Sequence, residues 1–134
     1  MVEQRRLEVA SVWLQRARSD LRLAEAARNT PGVVPEDACF HAQQSAEKAL
    51  KALLIAHGLP FPRTQVLETL LDLLKAADFD VPPDVDEAFV LTQYAVETRY
   101  PGDWEPVGLE EAWLAIQKAE RVLGWIEARI EDLG

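Results

Sequence analysis

The chain has 134 residues, 49% of them apolar and 28% charged, which suits one domain that buries roughly two-thirds of the surface its unfolded form exposes. Its 23 acidic side chains outnumber 14 basic ones, for a formal net charge of −9. That balance argues against non-specific binding to nucleic acid, which needs a positive footprint, although a local basic groove stays open; a cationic partner is the cheaper electrostatic expectation.

The first periodic segment runs from about Glu3 to Arg28. Leu7, Ala10, Leu14, Ala17, Leu21 and Ala24 recur at three- and four-residue steps, which stacks them along one side of a helix. Asn29-Thr30-Pro31-Gly32 breaks it. A second helix is predicted from near Pro35, with Glu36 and Asp37 favourable to its positive end. Its apolar face is Cys39, Ala42, Ala46, Ala49, Leu50 and Leu53, and so many alanines let a neighbouring helix approach closely. His57-Gly58-Leu59-Pro60 ends it, with Gly58 expected as a left-handed cap and His57 as a charged cap favoured by the helix dipole.

A shorter third helix is expected after Thr64, read as its N-cap, carrying Leu67, Leu70, Leu71 and Leu74. Pro82-Pro83 separates it from a fourth. There Asp84 and Glu87 have capping-box spacing, and Val85, Ala88, Phe89, Thr92, Ala95 and Val96 are expected on the buried side. Pro101, Gly102, Pro106 and Gly108 make Arg99 to Gly108 a loop. The last helix, about Leu109 to Asp132, repeats Ala112, Ile116, Ala119, Leu123, Ile126 and Ile130 on one stripe. No segment alternates with a period of two. The fold class predicted is all-α, an up-and-down bundle of about five helices forming one domain over residues 1–134. Trp13, Trp113 and Trp125 either fill its core or supply a second apolar face for another copy.

Cys39 is the single cysteine, so an intrachain disulfide is excluded and no metal framework is expected. Nothing approaches the ~18–20 apolar residues of a membrane span. The first residues lead into no unbroken apolar run, so no signal peptide is expected and the cytoplasm is the predicted location.

Two stretches stand out chemically. His41, Gln44 and Lys48 follow one another at three and four residues, so an imidazole, an amide and an ammonium lie together, expected opposite the alanine-rich face. Such a trio suits a phosphate or a carboxylate; the alternative is an ordinary solvated helix face. Glu47 and Lys51 read as a plain i,i+4 pair. The other stretch is Glu97-Thr98-Arg99-Tyr100-Pro101-Gly102-Asp103-Trp104. The planar fork of Arg99 binds phosphate or carboxylate at two points, or else it satisfies the last carbonyls of its own helix while Tyr100 and Trp104 pack the loop.

The same stretches resemble the HEPN domain proteins of prokaryotes. Cys39-Phe40-His41-Ala42-Gln43-Gln44-Ser45-Ala46-Glu47-Lys48-Ala49-Leu50-Lys51-Ala52-Leu53-Leu54 is similar to that family's most recognisable segment. Ala17-Arg18-Ser19-Asp20-Leu21-Arg22-Leu23-Ala24 resembles its first helix, and Thr98-Arg99-Tyr100-Pro101 the turn after its fourth. The resemblance implies a homodimeric helical bundle, commonly paired with a minimal nucleotidyltransferase in a toxin–antitoxin-like system. The expected function is thus a dimeric binding module for that partner, for a nucleotide-like ligand, or for both. Its ligand-binding residues would be His41, Gln44, Lys48, Arg99 and Tyr100, without metal or cofactor.

Some members of the family are metal-independent ribonucleases whose arginine is followed four to six residues later by histidine. Arg99 matches that arginine, but no histidine follows it anywhere in this chain, and Asp103 and Glu105 make the region acidic. The alternative expectation is therefore a ribonuclease in which Arg99 clamps the transition state and His41 substitutes as general base.

Overall fold

The computed structural model describes residues 2–96 and 106–133. Among them are five α-helices, α1 (Val2–Asn29), α2 (Pro35–Ala56), α3 (Leu67–Ala76), α4 (Pro83–Asp86) and α5 (Leu109–Glu131), with a 3₁₀ segment over Glu87–Tyr94 and no strand. The all-α architecture expected from the periodicity is thus the one observed. The long α1, α2 and α5 are its frame.

α2 is the central element, packing against α1, α5, α3 and the 3₁₀ segment. The alanine ridges explain how. Ala10, Ala17 and Ala24 of α1 and Ala38, Ala42, Ala46, Ala49 and Ala52 of α2 are wholly buried. Small side chains let the two backbones close up, far enough for the Ser45 hydroxyl to donate to the Ala17 carbonyl at 2.8 Å. α1 and α2 run antiparallel: Ser45 meets Ala17, while Lys51 lies over Trp13 one turn back along α1. α5 also runs against α1, since Arg28 donates to the Leu109 carbonyl and Arg18 to the Glu127 carboxylate.

Where α2 ends, Gly58 takes φ +67° and His57 is the cap, as expected. The surroundings of the imidazole work against the charge expected there. The ring packs edge-on against Phe79, and burial pushes its pKa below the ordinary histidine value.

The predicted fourth helix is where expectation and structure part most. α4 is a single turn, and Asp84 and Glu87 make no side-chain cap there. Beyond it the chain tightens to about three residues per turn. At that period Ala88, Leu91 and Tyr94 eclipse one another and face inward, whereas the helical stripe put Phe89 and Val96 inside; they are 44% and 59% exposed. Thr64 is not the N-cap of α3 either: the helix starts at Leu67, after Val66. Thr92 of the 3₁₀ segment caps it from across the fold, its hydroxyl accepting from the Leu67 amide at 3.0 Å and donating to the Glu68 carboxylate at 2.9 Å. Trp113 is exposed, while Trp13 and Trp125 pack against the core.

Candidate functional site along the second helix

His41 and Lys48 are brought together, and by a residue that spacing along the chain does not single out. Asp20 of α1, only 6% exposed, accepts from His41 Nδ1 at 3.2 Å through one carboxylate oxygen and from the Lys48 ammonium through the other. An ionised carboxylate offers no proton, so Nδ1 carries the hydrogen in the neutral ring, and Nε2 is left as an acceptor. Both side chains are about one-quarter exposed at the α1–α2 edge. They are therefore not the freely solvated face expected from spacing alone.

Asp20 does carry a signal in the sequence. It lies three residues after Ala17 and four before Ala24, on the edge of the buried stripe, where an unpaired charge is costly.

Gln44 belongs to a different network. Its amide donates to the Gln43 side-chain oxygen at 2.7 Å; Gln43 in turn donates to Glu47 at 3.1 Å and to the Gln65 carbonyl at 3.2 Å. Glu47 closes the chain by accepting from Lys51 at 2.9 Å. The Lys51 ammonium also lies 5.8 Å from the ring centres of both Trp13 and Phe61, close enough for cation–π attraction. Gln43, Glu47 and Lys51 are all buried, so the i,i+4 pair read from spacing is an interior one. Every buried polar atom of this network is satisfied within the protein.

A third cluster joins α2, the 3₁₀ segment and α5. The Tyr94 hydroxyl donates to the Glu111 carboxylate and also meets Cys39, which is buried. Burial first, then these neighbours, pushes the phenol pKa well above the ordinary tyrosine value, so it remains a donor. Arg99 and Tyr100 lie outside the described residues. No three His, Cys, Asp or Glu side chains among the described residues form a metal-binding group. No described helix is long and apolar enough to cross a membrane.

Compared with known proteins, residues 10–129 match the HEPN domain family. The chain belongs to the HEPN family. The match spans the α1–α2 edge and nearly all of α5, so the Asp20 cluster and the buried Glu47–Lys51 pair both lie inside the HEPN domain. Two solved structures have the same fold. TT1696 from Thermus thermophilus is 39% identical with a TM-score of 0.72, the alignment covering 89% of this chain and 96% of that one. ST0689, an archaeal HEPN homologue, is 29% identical with a TM-score of 0.71, covering 90% and 97%. A protein of Methanocaldococcus jannaschii named "Putative toxin MJ1304" is 29% identical across 94% of this chain and 91% of its own length.

Proposed function

We propose that the chain is a homodimeric binding module of a toxin–antitoxin-like pair. It engages a small nucleotidyltransferase as partner and takes a nucleotide-like ligand at the His41–Lys48 edge. The observation that carries this reading is the placement of an imidazole and an ammonium side by side on the Asp20 carboxylate, both side chains partly exposed. The ammonium has N–H groups left after its bond to Asp20 and suits a phosphate oxygen; Nε2 suits a hydroxyl or amino donor. Gln44 lies at the same edge with its amide committed to Gln43, which makes it the weakest contributor of the set. Arg99 would clamp the phosphate in two-point fashion, and Tyr100 would offer its ring to a base. The relative that bears a toxin's name matches nearly end to end, and this supports the two-component setting.

Calorimetric titration with ATP as the probe tests the site. Arg99→Ala is expected to weaken binding about tenfold, the loss of one charge-assisted contact, while the protein melts as before. Unchanged ATP affinity in that variant removes Arg99 from the site.

A second reading is favoured by one specific observation. Asp20 on Nδ1 leaves Nε2 an acceptor, the arrangement that orients a histidine base in acyl-transfer triads. A metal-independent ribonuclease built this way would cut RNA in the presence of EDTA and lose the activity in His41→Ala. Intact RNA after incubation with the unmodified protein eliminates it.

A further inference from the structure

Acid is not spread evenly along this chain. Residues 68–87 hold seven acidic side chains and one lysine, against sixteen acidic and thirteen basic in the rest. That stretch is α3, the turn after it, α4 and the first residue of the 3₁₀ segment, and all its carboxylates except the half-buried Asp86 are exposed. It supplies six of the nine surplus negative charges.

Within this stretch a cavity of about 260 Å³ opens between α3 and the 3₁₀ segment, lined by Glu68, Leu71, Asp72, Lys75, Asp86 and Phe89. The first four come from one face of α3, at steps of three, one and three residues. Leu71 is buried, whereas the Phe89 ring, turned outward by the tight winding of its segment, is 44% exposed. The lining is therefore part apolar and part acidic.

The charges in it are not balanced from within. Lys75 gives its ammonium to Asp86 at 2.7 Å, and Arg121 of α5 is held by Glu87 at 3.3 Å. Arg63, on the chain leading into α3, makes no ion pair among the described residues. Glu68 accepts the Thr92 hydroxyl, and Asp72 makes neither an ion pair nor a hydrogen bond among the described residues. Glu68 and Asp72 stand four residues apart on the helix, two like charges that repel, and a cation between them removes the repulsion.

The shape of the site says which cation. No three His, Cys, Asp or Glu side chains among the described residues converge as a metal-binding group, so a compact metal ion is the poorer occupant. A guanidinium is planar, reaches two carboxylates through separate N–H groups and stacks on an aromatic face. A second copy across a two-fold axis would bring the same acid-rich stretch against itself, and like charges across an interface cost affinity.

We propose that this groove receives an arginine of a partner protein, its guanidinium set between Glu68 and Asp72 and stacked on Phe89, its methylene stem against Leu71. Asp78, Asp80 and Asp84, exposed between the end of α3 and α4, extend the acidic surface beyond one side chain, so the partner segment is basic on either side of that arginine. The inference does not depend on any ligand at His41 and Lys48.

The probe is a fluorescent synthetic peptide in which arginine alternates with alanine, followed by anisotropy with the full chain. The unmodified protein should bind it, less tightly as salt is added, and more tightly than the lysine version of the same peptide. Asp72→Asn and Phe89→Ser, both at exposed positions and checked for unchanged melting, should each weaken binding about tenfold. Glu8→Gln, which removes the same charge from the exposed side of α1, should leave it unchanged. No binding to the unmodified protein overturns the proposal. So does an equal effect of Asp72→Asn and Glu8→Gln, which would mean attraction to net charge alone, or a Phe89→Ser protein that binds as before. Displacement of the peptide by calcium, and not by sodium chloride of equal ionic strength, would make the groove a metal site instead. A Phe89→Ser protein that light scattering shows to be monomeric where the unmodified chain is a dimer would make it a contact between copies.

Discussion

Replacing Glu47 by alanine is expected to cost the fold about 3–5 kcal/mol, the size of a broken interior ion pair and not of a surface one. The Glu47 and Lys51 side chains are only 9% and 10% exposed. Without the carboxylate the Lys51 ammonium keeps only the faces of Trp13 and Phe61, and the Gln43 amide keeps one of its two acceptors, the Gln65 carbonyl. The cost is mainly that of stranding a desolvated charge, so it should shrink when the charge goes as well. A Glu47→Leu, Lys51→Met double variant should recover most of the loss. Urea denaturation of the three proteins measures both effects. A loss below about 1 kcal/mol for Glu47→Ala would mean that the pair behaves as an ordinary solvated i,i+4 contact.

Leu53→Ala is expected to cost about 2–5 kcal/mol, because the side chain is wholly buried and the surrounding backbones cannot easily close on the space it leaves. Leu53 lies on the helix that packs against nearly every other element, alongside the equally buried Leu50 and Leu54. The control is Leu23→Ala on the outward face of α1, where the leucine is half exposed and truncation should change stability by only a few tenths of a kcal/mol. Denaturation midpoints with unchanged slopes separate the two. Equal costs at Leu23 and Leu53 would contradict the core as described.

The frame of the fold is readable from the sequence because α1, α2 and α5 are long and their stripes repeat over several turns. Ala10, Leu14, Ala17 and Ala24, identified from spacing alone, are all buried. What spacing does not reveal is how many neighbours a helix has. One apolar face and one solvated face are expected of α2, yet Gln43, Glu47 and Lys51 are buried because α1 and the chain around Phe61 and Gln65 cover them. The segment Glu87–Tyr94 departs from expectation for a local reason. An α-helical period places Phe89 inside, and the tighter winding exchanges it for Leu91 and Tyr94 on the inner face.

At the candidate site His41 and Lys48 are legible because they lie one above the other on a single helix. Asp20 is legible only as a charge on the rim of an apolar stripe; its meeting with His41 and Lys48 is not, because it comes from the neighbouring helix. Gln44 shares the spacing but not the network. Its amide turns to Gln43, a contact that spacing alone cannot distinguish from one with Asp20.

The most direct test of a single ligand site is the distance between His41 Nε2 and the Arg99 guanidinium in a crystal structure of the assembled oligomer. The account predicts that the two line one cleft, within a chain or across a two-fold axis, near enough for one phosphate-bearing ligand to touch both. Opposite faces of the assembly would contradict it, and would leave His41 and Lys48 as the closure of a structural Asp20 cluster.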